Sequence, residues 1–262
     1  MRAEPGPHAD WLLPGWHAPG IGALMTTRHG GVSQGAFRSL NLRDGLGDDP
    51  VAVDRNKALL RAAIGAQPVF LNQVHGAQVV RLFEPDGAPG APVHTADASV
   101  TTEPGVACTA QVADCLPVLF AAPNARAVGA AHAGWRGLAF GVLETTLASV
   151  CDLADCAPSD VKVWLGACIG PRKFEVGPDV LEAFGASTAG GDTALFVRHT
   201  PGKWLANLPQ IARERLRAAG AQAISGGEWC TVEDASRFFS FRRDRLTGRM
   251  AAAIWIERRS GA

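Results

Sequence analysis

Three residues, spread along the chain, are of the types that bind metals or carry nucleophilic chemistry. Cys115 stands just before an apolar run at 116–122, and His132 stands just after a second run at 127–131. Pro123 and Asn124 supply a turn between the runs, each of which is about strand length. Paired as an antiparallel hairpin, the start of one strand lies beside the end of the other, so Cys115 and His132 become neighbours. His75, in Leu71-Asn72-Gln73-Val74-His75-Gly76, is a third candidate. One thiolate and two imidazoles suit a tetrahedral zinc ion whose fourth position stays open. The competing reading is a core cysteine and hydrogen-bonded scaffold histidines.

The elements that must position these residues alternate in type. Strands are expected at 21–27, 68–73, 79–83, 96–101, 106–112, 161–168 and 250–257. Asp49 as N-cap and Pro50 at the first position open a helix that Gly65 ends. A mostly apolar helix is expected over 138–153, a short one from Pro178 to Phe184, and an amphipathic one over 208–219 with Gly220 as its stop. Residues 185–193, rich in Gly, Ala, Ser and Thr, read as a loop. The alternation predicts a layered α/β or α+β fold in a single domain over 20–262, preceded by a loose N-terminal arm over 1–19.

Composition sets the broad class. The 262 residues are 47% hydrophobic, enough for a sizeable core. Lys plus Arg and Asp plus Glu are each 25, so no overall field favours nucleic acid or a membrane surface. No apolar run approaches the roughly 20 residues that span a bilayer. The six cysteines form no C-x-x-C pair, and no signal peptide opens the chain, so a reduced, cytoplasmic protein is expected.

The motifs taken together resemble the polyphenol-oxidase-like, or laccase-domain, family, whose members are regarded as purine nucleoside phosphorylases. The matching stretches are Thr26-Thr27-Arg28-His29-Gly30-Gly31-Val32-Ser33, Ser39-Leu40-Asn41-Leu42, Gln73-Val74-His75-Gly76 and Ala113-Asp114-Cys115-Leu116-Pro117-Val118. They continue through Ala131-His132-Ala133-Gly134-Trp135-Arg136-Gly137, Ile169-Gly170-Pro171, Phe174-Glu175-Val176-Gly177, and Phe238 to Arg243 with Thr247-Gly248-Arg249. The resemblance implies a mixed β-sheet sandwich flanked by helices, with zinc held by His75, Cys115 and His132. It implies cleavage of purine nucleosides by phosphate to base and ribose 1-phosphate. Adenosine deamination, methylthioadenosine phosphorolysis and removal of miscoupled peptidoglycan precursors are also attributed to the family. The chain has no Tyr, and Phe174 and Phe241 stand where relatives often carry one.

On this reading Arg28 and Arg136 are candidates to grip phosphate as bidentate forks, with Gln73, Trp135 and Arg242 as further substrate contacts. Asp114 is expected to orient a ligand His or to cap its turn. Glu175 is a candidate general acid/base or a structural carboxylate, and Asp97 is read in the same way. Trp135 stacks a base or packs in the core. The expected partners are a nucleoside and phosphate, acting on a monomer. One alternative is a metal-free hydrolase or amidase with Cys115 as nucleophile and His132 as base, acting on peptidoglycan precursors. Another is a copper polyphenol oxidase. Only seven His are present, two of them in the arm, too few for a multicopper cluster, so copper would be a substitute ion at the zinc site.

Overall fold

A computed structural model describes residues 6–258. The first five residues of the expected arm and the last four of the expected domain lie outside the described residues. In chain order the elements are β1 (Ile21–Met25), α1 (Pro50–Ile64), β2 (Gln67–Val69), β3 (Val79–Arg81), β4 (Ala98–Thr101), β5 (Val106–Val112), β6 (Leu116–Ala121), β7 (Val128–Ala133), α2 (Trp135–Ala139) and α3 (Val142–Ala154). There follow β8 (Lys162–Leu165), β9 (Glu175–Val176), α4 (Pro178–Ala183), β10 (Phe196–Arg198), β11 (Trp204–Ala206), α5 (Leu208–Ala218), β12 (Ala223–Gly226), α6 (Phe241–Asp244) and β13 (Met250–Ile256).

Every residue of β5, β6 and β7 is buried, as strands covered on both faces must be. β6 and β7 lie at the centre of a six-stranded sheet in the order β12-β8-β6-β7-β4-β3. β5 belongs to a four-stranded sheet, β1-β13-β5-β2, which packs face to face on the first. Between the sheets lie Met25, Cys108, Leu119, Val128, Ala130, Trp164, Ala252 and Ile254. The outer face of the larger sheet is covered by α3 and α5 through Leu143, Leu147, Val150, Ile211 and Leu216. The outer face of the smaller sheet is covered by α1 through Leu60 and Ile64. The result is a mixed α+β sandwich flanked by helices, as expected. A third sheet, β10-β11-β9, lies beside it.

Three sequence expectations need correction. The arm is not loose throughout. Trp11 and Leu12 are buried, Leu12 bridges Met25, and Trp11 Nε1 donates to the carbonyl of His29 at 3.1 Å. The single helix expected over 138–153 is two, α2 and α3, broken at Gly141, whose φ of 88° no helix accepts. β10 and β11, three residues each, follow the loop and carry too little pattern to be foreseen.

Candidate metal centre

The hairpin of β6 and β7 places the first two residues of the centre. Its register sets Pro117 opposite His132 and Leu116 opposite Ala133, so Cys115 continues one strand where His132 ends the other. The period-2 pleat turns His132 to the same side as Val128 and Ala130, into the space between the sheets. His75 arrives on the connection between β2 and β3 and holds a left-handed backbone, φ 62°. Its Nε2 lies 3.8 Å from Cys115 Sγ, and its ring meets that of His132 edge-on at 4.8 Å. The donor atoms of His75, Cys115 and His132 all lie within 4.8 Å of one another.

A carboxylate fixes two of the three. Asp97, buried just before β4, has its Oδ1 2.8 Å from His132 Nδ1. The same carboxylate accepts the backbone N–H groups of Val74, His75 and Gly76 at 3.1, 2.9 and 2.6 Å. With Nδ1 engaged, His132 presents Nε2 towards Cys115. These bonds also compensate the left-handed backbone at His75, a conformation that costs about 1–3 kcal/mol. Asp97 is therefore the orienting group. Of the two roles expected of Asp114, orienting a ligand His or holding its turn, the second is the one it fills: its Oδ1 accepts from Thr231 Oγ1 and its Oδ2 from the backbone N–H of Arg242, each at 2.6 Å. It thus ties the Cys115 turn to the start of α6.

The electrostatics follow from this packing. Burial raises the pKa of the Cys115 thiol, but the neighbouring His132 and His75 outweigh it and bring the thiol down to about 6. Burial lowers that of His132, but Cys115 and Asp97 outweigh it and raise the imidazole to about 9. Cys108, buried among apolar side chains, is pushed up to about 12. Cys115 is thus the thiolate of the pair. A four-coordinate divalent ion with sulfur at about 2.3 Å and nitrogen at about 2.0 Å separates these donors by about 3.5 Å, close to the 3.8 Å found. Gly134 leaves room for this approach. A Cβ there would lie 3.0 Å from His75 Cδ2 and 3.1 Å from Cys115 Sγ. The donor set, its geometry and its thiolate all fit a metal ion.

The centre opens into a cavity of about 430 Å³, within the range of small-molecule sites. Gln73, Asp114, Trp135, Phe174 and Phe241 line it, together with Arg43, Arg136, Arg242 and Arg249. Four arginines against one carboxylate make the cavity strongly cationic.

The chain from residue 22 to 257 matches the family model described as multi-copper polyphenol oxidoreductase laccase. The purine nucleoside phosphorylase PA4543 of Pseudomonas aeruginosa is 46% identical over 94% of this chain and 98% of its own length. The purine nucleoside phosphorylase YfiH of Escherichia coli gives the same identity and coverage. Among solved structures, the Neisseria meningitidis protein NMB0706 superposes with a TM-score of 0.86 at 44% identity, covering 95% of this chain and all of its own. YlmD of Geobacillus stearothermophilus gives 0.87 at 36% identity, covering 95% of this chain and 96% of its own.

The chain belongs to the laccase-domain family.

The family's description speaks of several coppers. Among the described residues of this member, His75, Cys115 and His132 are the one group of three or more His, Cys, Asp or Glu donors close enough to share an ion. The remaining expected site residues divide. Trp135 is half-buried at the cavity wall with the Arg136 guanidinium 4.3 Å over its ring. Arg242 lies over the Phe174 ring at 5.4 Å and donates to the Glu175 carbonyl. Gln73 reaches the cavity, but both ends of its amide are locked to the backbone of Gln111 at 2.8 Å.

Glu175 and Arg28 do not join the site. The Glu175 carboxylate faces His199 at 3.7 Å, away from the cavity lining. Arg28 lines a separate surface hollow with His8, His29 and Arg38. Its Nε and Nη1 donate to the carbonyls of Arg38 and Ala235, both at 2.9 Å, and it lies over the Phe239 ring. The glycine-rich motif around it is a structural weld. Asn56 of α1 accepts from Val32 N–H and donates to Ser33 Oγ and to the carbonyls of Ser39 and Asn41. Sequence reasoning missed Arg43 and Arg249 as cavity residues. Arg249 closes the Thr247-Gly248-Arg249 motif, but no local signal sets it apart from the basic residues around it.

Proposed function

We propose that this protein is a zinc-dependent purine nucleoside phosphorylase, cleaving adenosine, inosine or guanosine with inorganic phosphate. The observation that carries the reading is the opening of a three-donor Cys-His-His centre into a cavity lined by four arginines and by aromatic rings. The centre offers one soft and two borderline donors and leaves a coordination position open, which favours zinc. Zinc, when bound, supplies a Lewis acid beside the cavity.

The reaction needs an oxyanion and a flat heterocycle held together, and the cavity residues provide for both. The guanidinium groups bind the dianion and lower its repulsion from electron-rich substrate atoms. Trp135, Phe174 and Phe241 offer faces and edges for the purine. Held in line, a phosphate oxygen forms a bond to ribose C1′ as the bond from C1′ to the purine nitrogen breaks. The electron pair leaves with the base, and the proton of hydrogen phosphate ends on the base. The products are ribose 1-phosphate and free purine. Positioning and charge stabilisation carry most of such a reaction. The reading takes the protein as a monomer of the cytoplasm, which would keep Cys115 reduced.

The test is incubation of zinc-loaded protein with inosine or adenosine, with and without phosphate. Phosphate-dependent release of hypoxanthine or adenine with ribose 1-phosphate is expected. Conversion of adenosine to inosine in the same assay reports deamination, and methylthioadenosine as a third substrate reports cleavage of the thioether nucleoside. Turnover independent of phosphate and of metal, with Cys115 acylated, would instead establish the Cys-His hydrolase.

A further inference from the structure

The four cavity arginines are not equivalent. Arg136 and Arg242 are exposed at the rim, whereas Arg43 and Arg249 are half-buried. Register fixes Arg249: Met250 pairs with Val112, so Arg249 lies level with Ala113, on the approach to Cys115. Its backbone N–H donates to Asn41 Oδ1 at 2.9 Å, and its Nη1 donates to the carbonyls of Thr247 and Gly248, both at 3.1 Å. Among the described residues, its Nε and Nη2 meet no acceptor. A guanidinium carries five N–H donors, so most of this fork is left for a ligand.

The charges around it are unbalanced. Neither Arg43 nor Arg249 forms a salt bridge among the described residues, although six other Arg or Lys side chains do. Asp114 is the nearest cavity carboxylate, and both its oxygens are engaged by Thr231 and by the Arg242 backbone. Burial first, and the Arg43 charge next, hold the Arg249 guanidinium below its ordinary pKa. Two like charges kept close in a partly desolvated wall raise the energy of the empty site, and a dianion between them lowers it.

We propose that Arg43 and Arg249 form the seat of the phosphate co-substrate, with Arg249 as its anchor. The position of Arg249 near Cys115 places the phosphate on the inner side of the cavity, and Arg136 and Arg242 are left to the mouth. Two guanidinium forks match the terminal oxygens of a tetrahedral dianion. The assignment rests on the phosphorylase reading, and the same chemistry would serve the phosphoryl group of a nucleotide.

The experiment has a kinetic and a binding arm, both on the full-length zinc-loaded protein. In the first, phosphate is varied at saturating inosine for wild type, Arg249→Lys and Arg43→Gln. Loss of one charged fork is worth about 1.5–3 kcal/mol, so the phosphate KM is expected to rise about tenfold or more, with the inosine KM within about twofold. In the second, wild-type protein is treated with phenylglyoxal, and modification of Arg249 is followed by peptide mass. Inorganic phosphate is expected to protect it. Phosphate kinetics unchanged in both variants would overturn the proposal. So would protection by inosine 5′-monophosphate alone, which would give the seat to a nucleotide. Protection by phosphate without any phosphorolysis would uphold the seat while removing the phosphorylase reading.

Discussion

Asp97 Oδ1 lies 2.8 Å from His132 Nδ1, and the same carboxylate receives three consecutive backbone N–H groups from the His75 loop. One side chain therefore sets the ring of one proposed ligand and the backbone of another. Asp97→Asn keeps the shape but removes the charge that four donors share. Loss of such a partner typically costs about 10–100-fold in metal affinity. That fall is expected in competition with a chromogenic chelator, and a zinc affinity equal to wild type would show that the carboxylate does not position the ligands.

Gly134 tests how tight the centre is. An alanine Cβ there would stand 3.0 Å from His75 Cδ2 and 3.1 Å from Cys115 Sγ. The backbone at Gly134, φ −67° and ψ 164°, suits alanine, so the fold is not strained by the change. Gly134→Ala is expected to weaken zinc binding about tenfold or more, since donors held to fractions of an ångström are pushed apart. The melting temperature of the metal-free protein should move little. Equal zinc affinity in variant and wild type would mean that the donors are looser than the geometry indicates.

The thiolate can be titrated in protein stripped of metal. The Cys115 thiol falls from 9.0 to about 6, and the His132 imidazole rises from 6.5 to about 9. By linkage, the depressed thiol contributes stability above pH 9 that is lost as pH falls through about 6. The raised imidazole contributes stability below pH 6.5 that is lost as pH rises through about 9. The two slopes oppose each other between these limits, so thermal stability is a poor readout there. Alkylation of Cys115 by iodoacetamide, followed by peptide mass, is direct. Its rate should rise through a midpoint near pH 6 in wild type and shift to the ordinary thiol range, about 8.5, in His132→Asn. A wild-type midpoint already near 8.5 would rule out the ion pair.

The parts of the centre that were legible in sequence are those set by local pairing. Two apolar runs and the Pro123-Asn124 turn dictate a hairpin, and a hairpin brings Cys115 to His132. Helix α1 was legible for the same reason: Asp49 accepts from Val51 N–H at 3.0 Å, and Gly65 adopts φ 63° at the other end. In sequence Asp97 is one carboxylate among several, because its role arises when β4 pairs with β7 and sets Ala98 opposite Ala131. Arg249 gains its place only when β13 joins β5, more than a hundred residues away in sequence. Conversely, Gly30-Gly31 beside Arg28 reads from local pattern first as a tight turn and second as an anion loop, and the buried Asn56, which no local pattern distinguishes, makes it a structural joint.

Arg28 supplies the contrast with the cavity arginines. Its guanidinium is engaged by two backbone carbonyls and an aromatic face, and it lies outside the cavity lining. Truncation leaves the carbonyls of Arg38 and Ala235 without that donor. Hydrogen bonds to a charged group are worth about 1.5–3 kcal/mol each, less where solvent can replace them. Arg28→Ala is expected to lower stability by about 1–3 kcal/mol in urea unfolding, while the phosphate KM stays within about twofold of wild type at a temperature where the variant is folded. A large rise in phosphate KM with unchanged stability would return Arg28 to the substrate site and remove the distinction drawn between the two arginine clusters.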